Sequence, residues 1–297
     1  MAVGRASVRR PLFAGSLNTT QRGALGILPV PIVILALFFY APLISLLLQS
    51  LDRASARPAD AHFLSSYTKL LFQPSFWQVA QNSFFVAGTA FAIMVVIGYP
   101  LAYLLAFKVR RGRLPLLLLL VLSGSVSDIV RIFAWRTILG SSGLINGLLM
   151  QVGFISHPLG FLLFSPFAVI LVLATGWLPY VVIPIYAAMR TIDRSTIEVA
   201  RDLYAHPLGV VRHVVLPLSF PGILGAFVIV FVPLLTEFAT PQMVGGPRSI
   251  MLGNIVSDQI LALSNWPVGA AAAGLLLLLS VVLITSAQRL TRRFYGQ

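Results

Sequence analysis

The sequence has no cysteine and few charged side chains. None of its 297 residues is cysteine, and only 10% are Asp, Glu, Lys or Arg. A chain without cysteine forms no disulfide, no thiolate zinc site and no iron–sulfur cluster, and it has no cysteine nucleophile. With 58% apolar residues, a chain of this length also lacks the polar side chains needed to cover a water-soluble domain. The composition is typical of an integral membrane protein.

Acidic residues are particularly scarce. There are 8 of them against 21 Lys and Arg, which gives a formal net charge of +13. In a soluble protein this excess would suggest a nucleic-acid partner. In a membrane protein, basic residues instead set the orientation and contact anionic lipid. We therefore expect membrane lipid, and no nucleic acid, among the partners of this chain.

Motifs for catalysis are missing as well. The sequence contains no GxxxxGK[ST] phosphate loop and no GxGxxG after a strand pattern. The histidines His62, His157, His206 and His213 are scattered and lack the HExxH spacing of a metal-binding helix. We therefore expect no metal, no cofactor and no ATPase site in this chain, and we do not expect an enzyme. A polytopic membrane enzyme remains the alternative, but it would need polar side chains converging at one depth of the membrane.

What the sequence does have is long apolar runs, and about 20 such residues suffice to cross a bilayer as a helix. They predict an all-α integral membrane protein with about six transmembrane helices. The predicted spans are residues 27–48, 79–107, 114–139, 165–189, 218–240 and 268–288 of one domain, 27–288. Residues 1–26 are predicted as an N-terminal segment, 190–217 as a polar loop and 289–297 as a tail. The first run is longer than the core of about 7 to 15 residues in a cleaved signal peptide, so we expect it to be retained.

The distribution of basic residues predicts the topology. If both termini lie on one side of the membrane, 15 of the 21 Lys and Arg lie there with them. The positive-inside rule then places both termini in the cytoplasm. The 15 residues are Arg5, Arg9, Arg10, Arg22, Lys108, Arg110, Arg111, Arg113, Arg190, Arg194, Arg201, Arg212, Arg289, Arg292 and Arg293.

The polar loop between the fourth and fifth spans reads as an amphipathic hairpin. Ser195 followed by Glu198 is a capping-box pattern that predicts a helix start, and Pro207 with Gly209 predicts its end. Ile197, Ala200 and Tyr204 then share one side of the helix. A second short helix is predicted at about 208–215, before Leu216 and Pro217. On periodicity alone, a helix lying on the bilayer surface is an equal alternative.

This loop resembles the signature loop of permease subunits of binding-protein-dependent ATP-binding-cassette (ABC) importers. The family pattern is Glu-Ala-Ala, three residues, Gly, nine residues, Ile, one residue, Leu-Pro. The matching residues are Glu198, Ala200, Leu216 and Pro217, with Val199 and Val214 as mild changes. The departure is Tyr204, where the family has glycine. Either Gly209 supplies the bend in its place or Tyr204 fills a pocket of a partner.

The resemblance implies a fold, a location and a set of partners. It implies the type I ABC importer permease fold in the bacterial inner membrane. It also implies a binding protein outside the membrane, a second homologous permease that favours a heterodimer, and two copies of an ATPase subunit that binds ATP and magnesium. The loop would sit in a groove of the ATPase and transmit its closure to the membrane helices. The loop residues are Glu198, Ala200, Arg201, Asp202, Tyr204, Ala205, Gly209, Leu216 and Pro217.

Two further stretches resemble the polyamine-importer permeases, which take up spermidine or putrescine. They are residues 130–149, with Ala134-Trp135 and Leu139-x-x-x-Gly-x-x-Asn146, and residues 216–246, with Glu237-Phe-Ala-Thr-Pro241. Related importers of iron, thiamine and aminophosphonates share much of this frame, so these substrates are alternatives. A channel or a scaffold would not explain the spaced signature loop.

A polyamine is a flexible cation, so carboxylates along the path would suit it. The candidates are Asp128 and Glu237, near the outer ends of the third and fifth spans. Asp128 could instead pair with Arg131 at i+3, and Glu237 could cap a local turn. Trp135 could offer a cation–π surface or simply anchor the helix at the membrane boundary.

Overall fold

The computed structural model describes residues 29–51, 64–109, 111–204 and 206–295. Over these ranges the chain is helical and contains no strand, which confirms the predicted all-α class. Five helices are long and apolar enough to cross a membrane, or six when a bent pair counts as one span. The predicted N-terminal segment 1–26 and Ala205 of the predicted loop lie outside the described residues.

Helix α1 (Pro29–Ser50) belongs, up to Gln49, to a unit of its own. Its 22 residues cover about 33 Å at 1.5 Å per residue, enough to cross the hydrocarbon core of a bilayer. The helix widens to a π-helical turn at Ala36–Tyr40, just before Pro42. Proline has no amide hydrogen to donate to the preceding turn, and a wider turn accommodates that loss.

The second unit, residues 50–297, contains the other helices. They are α2 (Ser65–Leu71), α3 (Pro74–Lys108), α4 (Arg113–Gly124), α5 (Asp128–Leu139), α6 (Leu144–Gln151), α7 (Pro166–Arg190), α8 (Arg194–Leu203), α9 (Pro207–Leu235), α10 (Leu252–Ser257) and α11 (Trp266–Tyr295). Helices α3, α7 and α9 each begin with proline, whose fixed φ suits the first helical turn and whose missing amide hydrogen is unneeded there.

Helix α7 is the most buried of the long helices, and it packs between α3 and α9. Glycine permits the close approach on both sides. A Cβ on Gly98 of α3 would lie 3.1 Å from Val182, and one on Gly222 of α9 would lie 2.8 Å from the Pro184 carbonyl oxygen. Small residues at helix crossings are the usual means of packing helices inside a membrane. The core of the unit is therefore built around α7.

The predicted third span, 114–139, is not one straight helix. Helix α4 ends at Gly124 and α5 begins at Asp128. The direction of α4 differs by 85° from that of the helical segment Asp128–Gln151, which comprises α5 and α6. The 12 residues of α4 cover only about 18 Å, too short to cross about 30 Å of hydrocarbon. The hydroxyl of Tyr180 in α7 donates to the Gly124 carbonyl at 3.1 Å. That bond satisfies one of the carbonyl groups that the break leaves without a helical partner.

The predicted loop 190–217 is also shorter in the structure. After α8 the chain enters α9 at Pro207 and continues as one helix to Leu235, so the predicted second short helix is the beginning of the fifth span. Leu216 and Pro217 accordingly lie inside α9. A π-helical turn, Val211–Val215, precedes them, where Pro217 cannot donate to the helix. The predicted tail 289–297 is helical as far as Tyr295 and continues α11.

Candidate coupling hairpin and translocation site

The hairpin, defined here as residues 194–217, begins at a different cap from the one that the sequence suggests. The N-cap of α8 is Asp193 and the first helical residue is Arg194, so Ser195 lies inside the first turn. The predicted capping box of Ser195 and Glu198 is therefore wrong. Glu198 is exposed, and within the described part of the chain its carboxylate accepts no hydrogen bond. Its charge is available to another molecule.

The apolar side of α8 lies where the periodicity predicts it. Ile197 and Ala200 are buried and join the main core cluster, which also contains Leu105 and Val210. Ala200 is small because the helix approaches the core closely at this point. Arg201 and Asp202 are exposed. The helix is thus anchored to the membrane domain by one face and presents the other.

A second, exposed apolar surface on the hairpin was missed in the sequence. Val199, Leu203 and Leu208 are 59%, 74% and 73% exposed. Exposed leucines beside charged residues mark a surface that another molecule covers. The sequence signal was present, since Leu203 and Leu208 flank the turn of an otherwise polar segment, but periodicity assigned only the buried face.

Tyr204 occupies space inside the hairpin. It ends α8 with an extended backbone, φ −110° and ψ 114°, a conformation open to any residue. Its ring stacks on the imidazole of His213. A Cβ on Gly209 would lie 3.2 Å from the Tyr204 Cβ, so Gly209 makes room for the tyrosine. Gly209 does not supply the bend, because it lies in the first turn of α9 without a positive φ.

The second site lies at the break between α4 and α5 and contains the charged cluster, defined as Asp128, Arg131 and Glu237. Arg131 donates from Nη2 to Oδ1 of Asp128, its partner at i+3. Glu237 follows α9, and its Oε1 accepts from the amide of Thr240 at 3.1 Å and from the Thr240 hydroxyl at 3.2 Å. The local pairing and the local cap that the sequence left open are both formed. Glu237 and Tyr180 lie within electrostatic range of Arg131.

The guanidinium of Arg131 lies against Gly176 of α7, where a Cβ would overlap it. Trp135, one turn further along α5, is partly buried against the main core cluster. Arg136 has a different neighbour, because its guanidinium lies 5.8 Å from the ring centroid of Phe164. The structure thus brings Asp128 and Glu237 into one electrostatic environment through Arg131, and it packs Trp135 into the core.

The Leu139-x-x-x-Gly-x-x-Asn146 pattern shapes the turn after α5. Asn146 is buried, donates to the Gly140 carbonyl at 3.0 Å and accepts from the Leu159 amide at 2.8 Å. A Cβ on Gly143 would lie 2.5 Å from the carbonyl oxygens of Thr137 and Ile138. These residues therefore hold the loop that follows α5 in place.

The chain matches a known protein family over most of its length. Residues 27–295 match the family described as the binding-protein-dependent transport system inner membrane component. The chain belongs to this family. It is the permease subunit of an ABC importer, a multi-pass protein of the bacterial inner membrane, as the signature loop predicts. The importer permease fold is confirmed by structural similarity to a bacterial ABC transporter involved in alginate import, with a TM-score of 0.75 at 19% identity over 92% of this chain and 96% of that one.

Three curated relatives bear on the subfamily. The spermidine/putrescine transport system permease protein PotB of Haemophilus influenzae is 34% identical over 222 residues, 74% of this chain and 77% of its own length. PotB of Escherichia coli is 33% identical over 210 residues, 71% and 76% of the two chains. The putative 2-aminoethylphosphonate transport system permease protein PhnU of Salmonella typhimurium is 27% identical over 263 residues, 86% and 88% of the two chains.

Proposed function

We propose that this permease forms half of the translocation pathway for a polyamine such as spermidine or putrescine. The observation that carries the proposal is the identity of 34% and 33% with the two PotB proteins over about three quarters of their length. The carboxylates of the charged cluster support it, because a cation crossing the membrane needs negative charge along its path.

The proposed transporter contains four further subunits. A second permease, homologous to this one but different from it, completes the pathway, and an extracytoplasmic binding protein delivers the substrate. Two copies of an ATPase subunit bind ATP and Mg²⁺, whereas this chain binds no cofactor and catalyses no reaction. Both termini and the hairpin face the cytoplasm, where the ATPase is.

The hairpin is the proposed contact with the ATPase. Val199, Leu203 and Leu208 offer it an apolar surface, and the exposed Glu198 carboxylate offers a charge. Because Ile197 and Ala200 anchor α8 in the core and α9 continues from the hairpin into the membrane, a movement of the ATPase reaches the fifth span directly. A rigid hairpin that is packed against the core and continuous with a membrane helix suits an alternating-access mechanism.

The test is uptake by the reconstituted transporter. The chain is co-expressed with the second permease and the ATPase, placed in vesicles with the binding protein, and supplied with ATP. We expect nucleotide-dependent accumulation of labelled spermidine or putrescine and none of iron or thiamine. If only 2-aminoethylphosphonate were taken up, the proposed substrate would be this compound and not a polyamine. Conductance by the isolated chain without nucleotide would overturn the importer mechanism for this subunit.

A further inference from the structure

Arg131 of the charged cluster is partly buried, and only part of its hydrogen-bonding capacity is used. Its side chain is 15% exposed, whereas that of Asp128 is 67% exposed. Nη2 donates to Asp128, and Nη1 is buried without a hydrogen-bond partner in the described part of the chain. A buried guanidinium costs free energy unless its donors are paired. The fold therefore holds a partly satisfied cation next to an accessible carboxylate.

Gly176 keeps the guanidinium in that position. The residue lies in the interior of α7 without a positive φ, so its backbone conformation does not require glycine. A glycine inside a helix is less favourable than alanine. The lack of space beside Arg131 explains the glycine, because a Cβ at this position would overlap the Arg131 guanidinium. Helix α7 therefore has a recess for a cation where α4 and α5 separate.

We infer that Arg131 is an internal counter-ion that occupies Asp128 while the pathway is empty and is displaced by an ammonium group of the substrate. The inference rests on the proposed cationic substrate. Asp128 and Glu237 carry two negative charges and Arg131 one positive charge, so the cluster has a small net negative charge. When the guanidinium returns to Asp128, it expels the ammonium group. A pathway must bind its substrate weakly enough to release it, and the tethered cation supplies that release.

Replacing Arg131 tests this role through a separation of KM from kcat. In vesicles with the complete transporter, Arg131→Gln leaves Asp128 without its counter-ion. We expect the KM for spermidine and the kcat of uptake to fall together, each by about fivefold or more, the ratio for about 1 kcal/mol of altered Coulomb energy. Arg131→Lys keeps the positive charge and should restore both values toward those of the unmodified protein. An unchanged or higher KM in Arg131→Gln would overturn the inference.

A double variant tests the charge balance itself. Asp128→Asn with Arg131→Gln removes one charge of each sign and leaves the net charge of the cluster as it is in the unmodified protein. We expect kcat to return to within about threefold of the unmodified value, since it is the uncompensated carboxylate that retains the substrate. A double variant as slow as Arg131→Gln would contradict this role of Arg131.

Two further variants separate the inference from a structural role and from the proposed function. Gly176→Ala moves the guanidinium without removing a charge, so the KM of this variant should also fall. If both Gly176→Ala and Arg131→Gln failed to assemble, the role of Arg131 would be purely structural and the inference would be overturned. Arg136→Gln is the matched control on the same helix, because Arg136 lies over Phe164; its KM should not change. If the unmodified transporter does not import a polyamine, the proposed function fails, whereas import with an unaltered KM in Arg131→Gln contradicts the inference alone.

Discussion

The ring of Tyr204 lies flat on the imidazole of His213, with centroids 5.0 Å apart and 6° between the planes. The stack joins Tyr204, the C-cap of α8, to the π-helical turn Val211–Val215 of α9. It closes the hairpin at the position where the importer signature has glycine. In this chain a side-chain contact therefore helps to fix the angle between α8 and α9.

Removal of that stack should loosen the hairpin. In Tyr204→Ala the contact with His213 is lost, and aromatic pairs contribute about 0.5–1.5 kcal/mol. We expect amide hydrogen exchange in α8 and in the first turns of α9 to accelerate by about 2- to 12-fold in the assembled transporter, with less substrate imported per ATP hydrolysed. Tyr204→Phe keeps the ring and is the control. Equal exchange rates in Tyr204→Ala and Tyr204→Phe would show that the stack does not hold the hairpin.

The exposed apolar surface of α8 gives a second prediction. Leu203→Asp places a charge at a position that is 74% exposed, so the permease should still insert and fold. We expect co-purification of the ATPase to fall by about tenfold or more, because an unpaired charge buried on docking costs more than about 1.4 kcal/mol. Ser195→Ala on the same helix should bind the ATPase normally, since Ser195 is exposed and is not the cap. Full ATPase recovery with Leu203→Asp would exclude Leu203 from the contact.

Apolar run length predicted about six apolar helical segments, and the described residues contain five or six candidates. It could not predict the break between α4 and α5. The leucines at 116–120 drive a helix, and the Ser and Gly residues at 123–127 are a modest interruption. The bend depends on tertiary contacts, because the Tyr180 hydroxyl donates a hydrogen bond to the Gly124 carbonyl. Tyr180 belongs to a helix more than 50 residues away in sequence. A local pattern contains no information on such a partner.

The signature spacing located the hairpin, and periodicity identified its buried face at Ile197 and Ala200. The capping box was misassigned because Asp193 and Ser195 are both acceptable caps, and only the backbone shows which residue comes first. Asp128 and Glu237 could be nominated as scarce acids, whereas their relation through Arg131 and Gly176 is a product of helix packing.

The crossing of α7 and α9 provides a stability prediction with a control from the same protein. In Gly222→Ala the new methyl would lie 2.7 Å from the Ala188 Cβ and 2.9 Å from the Ile185 Cα, so the backbones must separate. Such overpacking costs about 1–3 kcal/mol, and we expect a lower melting temperature of the detergent-solubilised protein. Gly88→Ala on α3 has no atom within 4 Å of its new methyl and should be neutral or slightly stabilising. If Gly222→Ala and Gly88→Ala melted at the same temperature, the crossing of α7 and α9 would accommodate the extra methyl without loss of stability.

Glu237 permits a charge to be removed with little change in shape. Its Oε1 accepts from the amide of Thr240, and the carbonyl oxygen of Gln in Glu237→Gln can accept the same bond, so the local turn should survive. The lost charge should raise the KM for a polyamine by about 10-fold or more, because hydrogen bonds to charged groups contribute about 1.5–3 kcal/mol. Assembly with the ATPase should be unaffected. The KM of the control Asp258→Asn, which removes an exposed carboxylate elsewhere in the chain, should also be unchanged. If Glu237→Gln and Asp258→Asn had equal KM values, the Glu237 carboxylate would not lie on the path of a cation.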